Sequence, residues 1–227
     1  MGFLEVPVCQ LSIHVVPQVH WDFTPFMQAK ALWQGDVASL AEDDRFHILP
    51  QALVYQVRQV MPEDGIVALD NGIYKIWFAR NYLAYGHNTL LLDNALATMG
   101  AGLPSAIAAK LLNPERPVLA VCGDGGILMS VQELITAVHL KLDLVVLVLN
   151  DQAFGMIEWK QAAMGFENFG LKLENPDFVA LAESFGAKGH RIKQFDDLVV
   201  TLNQAFEQAG VHLIEVPMDY SLNQETL

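Results

Sequence analysis

Two apolar strands that each run into polar residues constrain the fold of this chain more than any other feature. Residues 118–122 form an apolar run that leads directly into Gly123-Asp124-Gly125-Gly126, and residues 144–149 form another that leads into Asn150-Asp151. Between them, residues 130–140 have apolar side chains at helical spacing. This β-α-β order predicts neighbouring parallel strands that are buried on both faces. We therefore expect an α/β fold, a three-layer, doubly wound parallel sheet with helices on both faces.

The residue types at these strand ends suit an anionic group and a divalent cation. Gly125 and Gly126 leave backbone N–H groups open to an anion, and a helix that begins there would direct its positive end toward the same group. Asp124 and Asp151 are hard oxygen ligands, which Mg²⁺ combines with water and phosphate oxygens. A glycine-rich turn with a surface aspartate explains Gly-Asp-Gly alone, but it does not explain Asn150-Asp151 at the end of the next strand.

Gly123-Asp124-Gly125, followed at this spacing by Asn150-Asp151, resembles the thiamine diphosphate signature. The chain is similar to the C-terminal, diphosphate-binding domain of acetolactate synthase large subunits, in the superfamily that includes pyruvate decarboxylase. Residues 92–109 and 153–161 add to the likeness, which extends over residues 49–218. The resemblance implies the thiamine diphosphate-binding fold, with thiamine diphosphate and Mg²⁺ as cofactors. Many relatives have asparagine where Asp151 stands, and the exchange retains an oxygen donor.

The resemblance also assigns the cofactor site residue by residue. The loop after the first strand would approach the diphosphate, the Ala97 carbonyl would receive the 4′-amino group, and Met99 would be the apolar wedge beneath the rings. The alternative interpretation of Met99 is an ordinary methionine of the hydrophobic core. The cofactor-binding residues that this implies are Asn71, Gly72, Ile73, Tyr74, Ala97, Met99, Gly123, Asp124, Gly125, Gly126, Asp151, Gly155 and Met156. The implied metal ligands are Asp124, Asp151 and the Ala153 carbonyl.

No catalytic acid, base or nucleophile is expected within this chain. In the family, the activating glutamate lies in a separate pyrimidine-binding domain, usually of another subunit, and no stretch here matches that domain. The resemblance implies an oligomeric enzyme of branched-chain amino-acid biosynthesis that decarboxylates pyruvate and joins the product to a second 2-keto acid. This chain alone would be inactive.

Two alternatives to this function stay open. One is another thiamine diphosphate-dependent 2-keto-acid decarboxylase or carboligase, and the other is a non-catalytic interaction domain that keeps the fold. The retained carboxylates of Asp124 and Asp151 argue against the second.

Composition argues against several other classes of function. The 227 residues include 13 Lys and Arg against 26 Asp and Glu, so the net charge of −13 offers no basic surface to nucleic acid. Two cysteines provide no disulfide framework, which favours the cytoplasm, and no apolar run predicts a membrane span. With 52% hydrophobic and only 17% charged residues, the composition indicates a subunit or domain interface.

The predicted domain boundary lies between residues 47 and 48. Residues 1–47, which Pro17, Pro25 and Gly35 punctuate, are predicted to be a linker or the remnant of a preceding middle domain. Residues 48–227 are predicted to be the thiamine diphosphate-binding domain. Within it, Ser130 and Glu133 match the S-x-x-E capping box, which predicts a helix start.

Overall fold

A six-stranded, all-parallel sheet forms the centre of the computed structural model, which describes residues 22–41 and 43–223. Its strands are β1 (Ile66–Leu69), β2 (Leu90–Leu92), β3 (Val118–Gly123), β4 (Leu144–Asn150), β5 (Lys188–Arg191) and β6 (Val211–Pro217). They lie in the order β2-β1-β3-β4-β6-β5. The order reverses between β1 and β3, because the chain leaves β1 to one side for β2 and returns on the other side for β3. Ligands of open parallel sheets bind at such reversal points.

Helices cover both faces of the sheet, so the predicted three-layer fold is confirmed. They are α1 (Thr24–Ser39), α2 (Pro50–Val60), α3 (Ile73–Asn81), α4 (Gly102–Leu112), α5 (Asp124–Ile127), α6 (Glu133–His139), α7 (Gly155–Ala163), α8 (Phe178–Ser184) and α9 (Asp197–Glu207). Strand side chains alternate between two cores. Val67 and Leu69 pack with α2, α3 and α9, whereas Ile66 and Ala68 pack with α4, α6 and α8. Each fully buried aliphatic side chain contributes about 1.5–3 kcal/mol, so both layers hold the strand ends in place.

The helix predicted over residues 130–140 is shorter than predicted, because residues 130–132 form turns. Helix α5 is a single turn that begins at Asp124, and α6 begins only at Glu133. The predicted capping box is wrong, because the buried Ser130 hydroxyl has no partner among the described residues and the Glu133 carboxylate accepts a hydrogen bond from Thr136 (2.8 Å). A one-turn helix also aligns few peptide dipoles, so the helix dipole contributes less at Gly125 than a long helix would, and anion binding there stays a prediction.

Two elements of the structure lack any sequence prediction. Strand β5 is polar and lies at the sheet edge, so it has no apolar run to reveal it. Helix α1 includes both Pro25 and Gly35, which the sequence interpretation took as breaks. That interpretation is wrong for these two residues, since a proline in the first turn of a helix costs no hydrogen bond. Pro17 lies outside the described residues.

The chain divides into two compact units, Met1–Gly35 and Asp36–Leu227, and the sheet lies wholly in the second. The domain boundary predicted after residue 47 stays a prediction. No helix within residues 22–41 and 43–223 has the length and hydrophobicity needed to cross a bilayer.

Candidate functional site

A cavity of about 270 Å³ lies at the carboxyl ends of β1, β3 and β4, and we call it the strand-end cavity. Every residue that the sequence analysis predicts to contact a cofactor or metal lines it. These are Asn71, Gly72, Ile73, Tyr74, Ala97, Met99, Gly123, Asp124, Gly125, Gly126, Asp151, Ala153, Gly155 and Met156. Phe154 and Ile157 line it as well, although no prediction covers them. The structure thus brings the predicted residues together, and their contacts with a cofactor stay a prediction.

The turn after β3 requires glycine because neighbouring groups fill the space that a side chain would need. A Cβ on Gly126 would lie 2.1 Å from Asp70 Oδ2, and one on Gly125 would lie 2.7 Å from the Phe154 ring. Both distances are shorter than any van der Waals contact. The turn therefore presents bare backbone to the cavity, which an anion cradle requires.

Gly126→Ala should destabilise the folded chain by about 1–3 kcal/mol, because the added methyl group overpacks the site. Asp70 cannot easily move aside, since it is only 1% exposed and accepts a hydrogen bond from the Ala101 N–H (3.0 Å). Urea unfolding measures the difference. Gly35→Ala is the matched control, because no atom of the described part of the chain lies within 4 Å of its Cβ position. Equal destabilisation in the two variants would contradict the steric argument.

Asp124 and Asp151 face the strand-end cavity from the ends of β3 and β4. Burial raises the pKa of Asp124, although Asn175 and the Gly125 N–H both donate hydrogen bonds to its carboxylate. Burial, together with the negative charge of Asp124, raises the pKa of Asp151 to about 7. Two largely buried carboxylates that repel each other favour a cation between them, because its positive charge offsets the free-energy cost of burying the two charges and of their repulsion.

The carboxylates of Asp124 and Asp151 and the Ala153 carbonyl offer oxygen ligands of the kind that Mg²⁺ binds. Across the described part of the chain, no three or more His, Cys, Asp or Glu side chains are arranged to hold a metal ion, so a site built from such side chains alone does not occur there. Two carboxylates and the Ala153 carbonyl would leave the remaining octahedral positions to phosphate oxygens and water, the usual Mg²⁺ arrangement. Which oxygens contact a cation stays a prediction.

Ala97 and Met99, which are predicted to lie near the thiamine rings, also line the cavity. Ala97 has a φ of 51°, a left-handed backbone conformation that is unusual for alanine and frequent in binding loops. Met99 is half-buried and lines the cavity. The Tyr74 hydroxyl accepts a hydrogen bond from the Gly123 N–H (2.8 Å), and burial holds the pKa of Tyr74 well above its usual value. Tyr74 is therefore a neutral support for the glycine turn.

Asn175 is a residue of this site that the sequence analysis missed. Its side-chain amide donates hydrogen bonds to Asp124 Oδ2 (2.7 Å) and to Asn150 Oδ1 (3.0 Å). It lies in the segment between α7 and α8, where no local pattern points to a site. The Asp124 contact joins positions 51 residues apart, and such a contact is set by tertiary packing rather than by local spacing.

Comparison with known proteins gives one consistent result. The model of the family "Thiamine pyrophosphate enzyme, C-terminal TPP binding domain" matches residues 70–216. Acetolactate synthase of Bacillus subtilis (strain 168) is 38% identical over 182 residues, which cover 80% of this chain and 32% of that protein. The large subunit of acetolactate synthase isozyme 2 of Escherichia coli (strain K12) is 30% identical over 196 residues, which cover 82% of this chain and 36% of that protein.

A solved structure agrees with these sequence matches. The thiamine diphosphate-dependent 4-hydroxybenzoylformate decarboxylase of Rhodococcus jostii RHA1 superposes with a TM-score of 0.73 at 26% identity, over 77% of this chain and 33% of that one. The chain therefore belongs to the thiamine pyrophosphate enzyme family, in which it corresponds to the C-terminal cofactor-binding domain. Its cofactor is thiamine diphosphate, and the predicted resemblance to acetolactate synthase large subunits is confirmed. The chain spans about a third of the length of these relatives.

Proposed function

We propose that this chain is the diphosphate- and Mg²⁺-binding half of an acetolactate synthase-like active site. The complete enzyme would decarboxylate pyruvate and join the product to a second 2-keto acid. The observation that carries this proposal is the strand-end cavity, which is lined by two largely buried carboxylates, a side-chain-free turn and Met99. The 38% identity to an acetolactate synthase supports the choice of reaction.

The residues of this chain would bind and orient rather than react. Asp124 and Asp151, with the Ala153 carbonyl, would hold Mg²⁺, and the backbone at Gly125 and Gly126 would bind the diphosphate. When bound, thiamine diphosphate supplies the electron sink for decarboxylation of a 2-keto acid. The protein fixes the position of that group and excludes water from it, which are the contributions that a binding domain makes to catalysis.

Three features support the need for a pyrimidine-binding domain or subunit. Among the described residues that line the strand-end cavity there is no glutamate, the side chain expected to activate the cofactor. The cavity volume of about 270 Å³ falls just below the ~300–1,000 Å³ of complete small-molecule sites. Large apolar side chains are also exposed close to the Met99 loop, Leu96 at 84% and Met129 at 54%. We infer that a pyrimidine-binding domain, from another subunit of a complete, homo-oligomeric enzyme, covers them and completes the cavity.

Reconstitution would test this function. Calorimetry with thiamine diphosphate, with and without Mg²⁺, should show Mg²⁺-dependent binding by the chain. Addition of a pyrimidine-binding domain from an acetolactate synthase should then permit turnover of pyruvate to acetolactate. Acetaldehyde as the product would favour a simple 2-keto-acid decarboxylase, the second candidate, which the likeness to the Rhodococcus enzyme supports. A folded chain that binds no cofactor, alone or with that domain, would favour a non-catalytic role.

A further inference from the structure

A continuous line of side-chain hydrogen bonds leads from a partly exposed arginine to Asp124. Arg191 Nε donates to Glu215 Oε2 (2.7 Å), and Asn150 Nδ2 donates to Glu215 Oε1 (2.7 Å). Asn175 Nδ2 then donates to both Asn150 Oδ1 (3.0 Å) and Asp124 Oδ2 (2.7 Å). Arg191, Glu215 and Asn150 lie on β5, β6 and β4, and Asp124 directly follows β3. Because these four strands are neighbours in the sheet, the line crosses its carboxyl edge.

The chemistry of the end groups permits only one direction for these hydrogen bonds. Arginine has donors and no acceptor, and an ionised carboxylate has acceptors and no donor. Glu215 is therefore an acceptor on both sides, so Asn150 must direct its Nδ2 toward it. That leaves Asn150 Oδ1 to accept from Asn175 and from the Gln152 N–H (3.1 Å). Asn175 must in turn present its Nδ2, and both of its hydrogens are used.

The side-chain oxygen of Asn175 also shows that the orientation of this amide is fixed. Asn175 Oδ1 is buried and has no hydrogen-bond partner within residues 22–41 and 43–223, an arrangement that costs stability. Rotation of the amide would place this oxygen against two acceptors, Asp124 Oδ2 and Asn150 Oδ1, and would lose both donated hydrogen bonds. The observed orientation is thus imposed by the line that begins at Arg191.

The line ends on a carboxylate that is held at both oxygens. Asp124 Oδ1 accepts from the Gly125 N–H (2.7 Å), and Asp124 Oδ2 accepts from Asn175. The carboxylate cannot rotate without losing one of these two partners. We propose that Arg191, Glu215, Asn150 and Asn175 are positioning residues that orient the Asp124 carboxylate toward the bound cation. This inference rests on the proposed Mg²⁺ site.

Glu215→Gln tests the direction of the line with a change of almost no volume. A glutamine at this position has one N–H donor group, so either Arg191 or Asn150 would face a donor instead of an acceptor. If the Asn150 amide inverted to accept that hydrogen bond, its Nδ2 would then face the Nδ2 of Asn175, and two donors would meet there. We expect the Mg²⁺ concentration for half-maximal thiamine diphosphate binding to rise about 10–100-fold, the usual effect of losing an outer partner of a metal ligand. At saturating Mg²⁺, calorimetry should give the wild-type affinity for thiamine diphosphate.

The matched control is Glu183→Gln, which makes the same change of charge at an exposed position of α8. It should leave the Mg²⁺ midpoint unchanged. Asn175→Ala should raise the midpoint as Glu215→Gln does, and it decides the matter if Glu215→Gln does not fold, as circular dichroism would show. A merely structural role would lower stability without moving the midpoint.

Two failures of this experiment are distinguishable. Wild-type Mg²⁺ midpoints in both folded variants, or in Asn175→Ala alone if Glu215→Gln does not fold, would overturn the positioning role and leave the proposed function standing. A wild-type chain that binds thiamine diphosphate without any dependence on Mg²⁺, or does not bind it, would overturn the proposed metal site and the positioning role with it.

Discussion

Asp124→Ala should weaken Mg²⁺-dependent binding of thiamine diphosphate by about 100-fold or more. Among the described residues, two carboxylates line the strand-end cavity, and the substitution removes one of them. Mg²⁺ requires several well-placed oxygen ligands. The substitution also leaves the Asn175 amide without its acceptor at Asp124, although its hydrogen bond to Asn150 can persist. Calorimetric titration of the full chain at a series of Mg²⁺ concentrations measures the loss.

Misfolding would not explain the loss, because the same substitution should change stability by no more than about 1 kcal/mol at neutral pH in the absence of cation. The lost hydrogen bonds are offset by relief of a buried charge and of its repulsion with Asp151. Asp196→Ala is the matched control, since that residue is exposed and its side chain makes no capping hydrogen bond. Binding by Asp124→Ala at wild-type strength would remove Asp124 from the metal site.

Much of this site could be predicted because parallel strands bring their carboxyl ends to one edge of the sheet. Once residues 118–122 and 144–149 are interpreted as adjacent parallel strands, Asp124 and Asp151 must lie close together. Ala97 and Met99 precede their helix by several residues and follow no strand directly. Their place in the cavity was predicted from family resemblance alone, because neither hydrophobic periodicity nor charge distinguishes that loop.

The remaining features depend on packing that no local pattern encodes. Residues 130–132 belong to the predicted helix, yet the structure has turns there and α6 begins only at Glu133. Asn175 follows a loop and reaches Asp124 only through tertiary structure. No local pattern marks Glu215 as a buried carboxylate. It is 6% exposed because β5 lies outside β6 and its Arg191 pairs with it.

The strand-end cavity argues against the alternative of a non-catalytic interaction domain. A non-catalytic remnant has no need for two largely buried carboxylates, one of which raises the pKa of the other, since their burial costs stability unless a cation binds. The hydrogen-bond line to Asp124 adds a further cost, the unpartnered Asn175 Oδ1. A binding site is expected to retain these two destabilising features, the buried carboxylates and the unpartnered amide oxygen, whereas a non-catalytic scaffold is not.

The stability of the cation-free chain should depend on Asp151 between pH 5 and pH 8. Its pKa is about 7 in the folded chain, whereas an unfolded aspartate has a pKa of about 3.9. The folded chain thus binds this proton more tightly, and the stability that the proton provides is complete below about pH 4 and is lost as the pH rises through 7. Wild type should therefore lose on the order of 2 kcal/mol over this range relative to Asp151→Asn, which has no such proton to lose.

Urea unfolding of wild type and Asp151→Asn at pH 5, 6, 7 and 8 measures this difference, and subtraction removes the contribution of the other titrating groups. Asp177→Asn is the control. Hydrogen bonds from the Ala180 and Val179 N–H groups and the charge of Arg191 lower the pKa of Asp177, so its difference from wild type should stay constant above pH 5. Asp124→Ala should reduce the Asp151 effect, because it removes a charge that raises the Asp151 pKa. Parallel stability curves for wild type and Asp151→Asn would show that Asp151 is ionised throughout this range and does not share a buried site with Asp124.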